Sequence, residues 1–384
     1  MDRSTIQVSL GGAVVVGVAF GMARCAYGLT LPAIRSEFGL SELLLGAIAS
    51  GTFLGYLLGL LAGPRLSARR GPRAPTTVGG VCGVAGCSLV ATAPTPSVLA
   101  IGAVVGGSAA GWVWAPYSDI VAEAVPLRHR PTVLAVITTG TSAGLLLLAG
   151  VALVGPSSSW RLTWAGIALA AAAAAVLNLR TVPQLAPRRS GTDSARQSPL
   201  RRALVEPLAY AVLYFTAITI YFTYASDTAR SGGLAASAAG LMFAVIGLGG
   251  LAGLATGRLV RSFGPPLVGC GSVLVVSSAL VLLALGRGSL PLMLLSALLL
   301  GAGFMVGSAV LAVWTAQVVT DRPGDGFTVA LVVGAVASMA APTIAGALIP
   351  VLGLPELLVL TAVLAAGGAV VLTVVARRRV PAPR

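Results

Sequence analysis

The sequence predicts an all-α membrane protein, with twelve transmembrane helices arranged as two related six-helix halves. Three observations carry that prediction. Of its 384 residues 57% are hydrophobic and 9% charged, with a mean hydropathy of +0.95, which is too apolar for an ordinary water-soluble domain. Cut at Arg, Pro and polar clusters, the apolar residues fall into twelve runs, each near the roughly 20 residues that a hydrocarbon core requires. Finally, the glycines of the first half recur in the second at a fixed offset.

Taken in order, the expected spans are 7–30, 43–63, 75–93, 97–122, 131–154 and 161–181, then 206–228, 235–257, 266–286, 290–319, 327–350 and 354–376. The first is too long for a signal-peptide core and has no small-residue cleavage site after it, so it reads as a span. Between spans six and seven, residues 182–205 are rich in Pro, Arg, Ser and Gln. Such a stretch cannot bury a core and reads as a flexible linker. The expected units are therefore residues 1–181, the linker 182–205, a second half 206–376 and a basic tail 377–384.

The duplication rests on register. Gly39, Gly46, Gly55, Gly59 and Gly63 each find a glycine 194 positions on, at Gly233, Gly240, Gly249, Gly253 and Gly257. Tyr27 and Tyr221, and Gly140 and Gly334, share the offset, which falls to 193 at Gly71 and Gly264. Both halves thus carry three glycines at four-residue spacing, on one helix face where a neighbouring helix can approach closely, followed by a basic turn.

All 25 basic residues are arginine, and the net charge is +14. They lie in short clusters between apolar runs, the pattern of membrane-flanking loops and not of a nucleic-acid groove. With the N-terminus in the cytoplasm, 20 arginines fall on the cytoplasmic side and four (Arg35, Arg161, Arg230, Arg287) outside. The positive-inside rule therefore places both termini in the cytoplasm. Cys25, Cys82, Cys87 and Cys270 lie inside apolar runs without ligand spacing and read as packing residues. No metal or cofactor is expected. No ATP-binding domain is legible, so active transport would draw on an ion gradient.

Twelve spans in two halves, a central linker, and the Gly63, Leu66, Arg69, Gly71, Arg73 turn resemble the major facilitator superfamily, whose signature loop has the pattern Gly-x-Leu-x-Asp-Arg-x-Gly-Arg-Arg. Ala68 stands where that pattern has Asp, and in the second turn (Gly257, Leu259, Gly264) Arg261 stands at the acidic position. Trp160-Arg161 opening span six also resembles the family. Gly21-Met22-Ala23-Arg24, Leu31-Pro32 and Gly55-Tyr56-Leu57-Leu58-Gly59 resemble the YbfB/YjiJ-type branch of bacterial permeases. The antiporter pattern of span five, Gly-x-x-x-Gly-Pro, is half present, with Gly140 and Gly144 but Leu145 for Pro. The resemblance implies a monomeric bacterial inner-membrane carrier, with a pathway lined by spans one, four, seven and ten and opened alternately to each side.

A charge kept at mid-membrane is a functional candidate by default. Arg24 is the clearest: it either holds an anionic group of the substrate, pairs with Asp227 at the outer end of span seven, or snorkels outward. Tyr27 and its mate Tyr221 are expected to face each other across the pseudo-two-fold axis, with Tyr224 further out, as aromatic walls or as packing residues. Span four offers Trp112, Trp114 and Tyr117, and span ten Trp314 and Gln317, as lining residues or packing. Asp119 and Glu123, stacked at i and i+4, and Asp227 are the proton-coupling or gating candidates. The alternative for the first two is a latch with Arg128 or Arg130.

The expected function is secondary active transport of a small organic molecule, coupled to protons, with membrane lipids as the surrounding partners. Export of an amphipathic or anionic metabolite or drug is favoured, with uptake of a small organic acid as the alternative. A membrane enzyme would need a catalytic set at one depth, which the sequence lacks. A permease-like sensor that binds without transporting is the alternative from another class.

Overall fold

The computed structural model describes residues 3–154, 159–187, 198–319 and 323–379, almost entirely as helix. Twelve helices are long and apolar enough to cross a membrane. The first six are Arg3–Phe38, Glu42–Arg70, Arg73–Ala91, Pro96–Ala124, Leu127–Val154 and Trp160–Thr181. The second six are Leu204–Ser231, Ser237–Phe263, Pro265–Leu285, Leu290–Val318, Gly326–Leu352 and Leu354–Val374. They are numbered one to twelve below. The end of the molecule that carries Arg3 and the turns after spans two and eight is called the basic end, and the opposite one the far end.

Several helices outrun the expected spans. Span two continues through Pro64 to Arg70, capped by Gly71, so the basic turn is tighter than the apolar run suggested. The helix of span seven begins at Ser198, inside the expected linker, of which residues 188–197 lie outside the described residues. The last helix reaches Arg379, into the expected tail.

The duplication is visible in backbone geometry. Gly71 and Gly264 close their helices at φ 82°, ψ 163° and φ 78°, ψ 157°. Only glycine adopts such a conformation without strain. Helix packing repeats as well. A side chain on Gly55 would strike the Val104 carbonyl, and one on Gly249 the Leu298 carbonyl; Gly107 meets Thr52 as Gly301 meets Ile246. All of these pairs keep the offset of 194. Spans two and four thus pack in the first half as spans eight and ten do in the second. The third glycine of each row departs from expectation: Gly63 has only the Gly111 carbonyl at 3.8 Å, and Gly257 faces open space. In the first half the reason is plain, because span four breaks at Trp112–Val113, between Pro96–Gly111 and Trp114–Ala124.

Span one is also irregular, with a widened π-helical turn over Gly17–Ala23. Such turns arise where the ordinary ladder is displaced. Here Gly140 and Gly144 of span five press backbone to backbone on Ala13 and Gly17, so the half-present antiporter pattern packs against the turn that leads into Arg24.

Between the halves the far end is closed where span one meets span seven and span two meets span eleven. Gly28 lies against the carbonyl of Phe222, its own repeat mate, so the pseudo-two-fold axis passes between spans one and seven there. Gly46 meets Pro342 and Gly346 meets Glu42 across spans two and eleven, where Ser50 Oγ takes hydrogen bonds from the Thr343 backbone N–H at 3.2 Å and, at 2.7 Å, from its hydroxyl. Spans five and eight are looser. They border a far-end cleft of about 570 Å³ lined by Glu37, Trp160, Thr163, Arg230 and Gly240.

Candidate functional site

The widened turn of span one ends at Arg24, near the middle of the span and half-buried. Its guanidinium carbon lies 4.8 Å from the ring centre of Tyr56, 5.0 Å from Phe53 and 5.7 Å from Phe20. Phe20 stands one turn before Arg24, and Phe53 and Tyr56 lie three apart on span two, so all three rings reach one point. Cation–π contact holds a desolvated guanidinium by about 2 kcal/mol or more, yet it supplies no counter-charge. Among the described residues the ion pairs are Arg35–Glu42, Arg35–Asp227 and Arg161–Glu37, and none includes Arg24.

The pairing of Arg24 with Asp227 does not occur. Asp227 accepts from Arg35 at 2.7 Å, and the other terminal nitrogen of Arg35 binds Glu42 at 2.7 Å. Arg35 lies three turns further along span one than Arg24, and so reaches the far-end level of Asp227, where Arg24 cannot. The Arg35–Asp227 pair joins the two halves; Glu42 belongs to the same half as Arg35.

The aromatic candidates separate into two groups. Trp114 is half-buried and meets Phe20 at 5.6 Å and, across the halves, Phe327 at 6.5 Å. It therefore extends the wall that begins at Phe53 and Tyr56. Trp112 packs by its Cβ on Gly79 of span three. Tyr117 donates to Asn178 at 2.7 Å, deep in the first half. Tyr27 and Tyr221 do not point at each other: the Tyr27 hydroxyl donates to the Leu45 carbonyl, and Tyr221 pairs with Ser296. Tyr224 donates to the Pro342 carbonyl. Trp314 is buried against Tyr210, 5.7 Å between rings. Gln317, Asp119 and Glu123 are exposed at the basic ends of spans ten and four.

The signature residues hold the basic turn. Arg73 donates to the Leu179 carbonyl at 2.5 Å, and Gly71 fits against the Leu185 carbonyl. Arg69 is exposed, and Leu66 and Ala68 are half-buried. Trp160 and Arg161 both clasp Glu37 at the far end, at 2.6 and 2.5 Å.

A family model for the Major Facilitator Superfamily matches residues 13–342. The chain belongs to that superfamily. A curated relative, the 3-(3-hydroxy-phenyl)propionate transporter of Escherichia coli (strain K12), is 28% identical over 362 residues, covering 90% of this chain and 87% of the relative. Among solved structures, the partially occluded inward-open xylose transporter XylE from E. coli superposes with a TM-score of 0.79 at 17% identity, covering 99% and 98% of the two chains. A bacterial homolog of the human lysosomal transporter Spinster gives 0.78 at 14%, covering 100% of each. At such identities the superpositions bear on fold alone. The chain is a multi-pass membrane protein of this secondary-transporter superfamily, with twelve helices long and apolar enough to span a membrane.

Residues that sequence reasoning missed are Phe20, Phe53 and Tyr56 around Arg24, Phe327 beside Trp114, and Arg35 and Glu42 around Asp227. The i, i+4 spacing of Phe20 and Arg24 is a legible signal. The convergence of span two on span one is not.

Proposed function

We propose that this superfamily member carries small amphipathic organic anions, aromatic carboxylates first among them, with Arg24 as the anchor. The single observation behind this reading is a half-buried guanidinium caged by three rings without a carboxylate partner among the described residues. A desolvated cation in that setting gains most from an incoming anion, through a two-pronged charged hydrogen bond. Phe20, Trp114 and Phe327 then offer faces to the apolar part of the ligand. The name of the E. coli relative specifies a propionate carboxylate joined through its short chain to a hydroxylated ring, which has the same two parts.

The arginine asymmetry makes the basic end cytoplasmic, in the inner membrane of a bacterium, and the described conformer is then closed to the outside. Transport proceeds by rocking of one half against the other, in a monomer. Carrying an anion inward opposes an inside-negative potential, so uptake needs at least one proton per charge, and export does not. We favour proton-coupled uptake over export, because Leu145 breaks the antiporter pattern and the one buried carboxylate among the described residues, Asp227, lies at the far end.

Counterflow and uptake of labelled 3-phenylpropionate in proteoliposomes test this. Saturable uptake raised by an acidic outside, and abolished in Arg24→Ala, supports the reading. Efflux driven by the potential alone would reverse the direction. Ligand binding without flux would make the protein a sensor.

A further inference from the structure

We propose that the Tyr56 hydroxyl binds ligand beside Arg24, donating a hydrogen bond to the carboxylate that the guanidinium holds. The bond favours carboxylates over neutral ligands of the same shape. The assignment rests on the anion reading above and adds a second polar group to that site.

Tyr56 is one of seven tyrosines, and its hydroxyl is the exception among them. Those of Tyr27, Tyr214 and Tyr224 donate to the carbonyls of Leu45, Phe304 and Pro342. Tyr117 donates to Asn178, and Tyr210 and Tyr221 pair with Ser272 and Ser296. Among the described residues the Tyr56 hydroxyl has no such partner, although the residue is only 2% exposed. A hydroxyl taken out of water without a partner destabilises the folded chain. The cage does not require it, because a phenylalanine face also attracts a guanidinium, and Phe20 and Phe53 do so without a hydroxyl. Nor does it belong to the duplicated packing plan. Gly55 and Gly59 face span four as Gly249 and Gly253 face span ten. At the same offset Tyr56 corresponds to Gly250, Phe53 to Gly247 and Arg24 to Ile218. The arginine and the two rings that span two adds to it are thus peculiar to the first half.

Packing on span four fixes where the phenol stands. Gly55 lies against the Val104 carbonyl, and Gly111 against the carbonyl of Tyr56 itself. The Tyr56 ring is left beside Phe20, 6.0 Å away, and Arg24, 4.8 Å away. An anion collected by the half-buried guanidinium therefore arrives next to a phenol whose proton is uncommitted. A carboxylate has about four lone-pair positions. Two accept from the guanidinium, and a third accepts from Tyr56. A neutral amide of the same shape offers a single oxygen and turns an NH2 group toward these donors, which leaves donors of the site unpaired.

Binding of 3-phenylpropionate and of its neutral amide, 3-phenylpropanamide, to the purified full chain tests this by calorimetry, alongside thermal melting. Tyr56→Phe keeps the ring over Arg24 and removes only the hydroxyl. It should weaken binding of the acid about 10-fold, as expected for a hydrogen bond to a charged group. Binding of the amide should fall by no more than about 3-fold. The Tm without ligand should stay the same or rise, because a buried donor without a partner has been removed. Unchanged affinity for the acid, equal losses for acid and amide, or a Tm lowered in Tyr56→Phe overturns the assignment. Loss of acid binding in Arg24→Ala, with full binding in Tyr56→Phe, would keep the anion reading and discard the Tyr56 bond. A wild-type chain that binds the acid no better than the amide overturns both.

Discussion

At the scale of single residues, Arg24 and Arg35 show why two arginines of one helix come to different uses. Arg35 is neutralised twice over by Glu42 and Asp227, whereas Arg24 meets only aromatic faces. Replacing Arg24 by Ala should lower kcat/KM for aromatic carboxylates by at least about 100-fold, since a charge-assisted bond to a desolvated anion contributes roughly 3 kcal/mol or more. Arg24→Lys should recover only part, because a point charge does not give the planar two-pronged contact. Phe53→Ala should weaken binding by about 3- to 10-fold through the loosened cage. Saturation binding and counterflow on the three variants check this. Arg24 stands out in the sequence as a lone charge inside an apolar run, with ligand binding, an ion pair and snorkelling as its possible uses. Its partners do not, because the residues that surround it come from another span, and a single helix period carries no record of which neighbour it will meet.

Among elements, the glycines divide by what they touch, although in sequence they look alike. Gly107 lies against Thr52 within one half, Gly28 against Phe222 between halves, and Gly257 against nothing within 4 Å. A valine at each should therefore give different results. Gly107→Val forces spans two and four apart inside a packed unit and should cost about 1–3 kcal/mol or more, read as a lower Tm and poor yield. Gly28→Val strikes a boundary that already has to open during the cycle. It should leave each half intact while lengthening the distance between spin labels at S36C and A235C, at the far ends of the two halves. Gly257→Val should change neither readout. The repeat register gave the glycine rows and the two-half plan directly. It did not reveal that the third glycine of each row makes little contact, because span four breaks at Trp112–Val113 and span eight tightens into a 3-10 helix over Gly250–Ala255, just before Gly257.

The whole molecule is asymmetric in charge and in closure. Twenty arginines belong to the basic end by the span order and four to the far end, and moving the former through a membrane would be far costlier than holding them in the cytoplasm. At the far end, backbone contacts at Gly28, Gly46 and Gly346 join the halves, while at the basic end Asp119, Glu123 and Gln317 are exposed. With the basic end in the cytoplasm, as proposed above, the conformer described is closed to the outside. Single cysteines at Ser36 and Arg69 test orientation. A membrane-impermeant thiol reagent should label S36C in intact cells and R69C only in inside-out vesicles. Closure is tested separately with a cysteine at Phe222, which packs beside Gly28: it should resist the reagent in intact cells at neutral pH and react faster in acid or in an Asp227→Asn background. If F222C reacts equally under all these conditions, the far-end contacts at Gly28 and the Arg35–Asp227 pair do not hold the halves together.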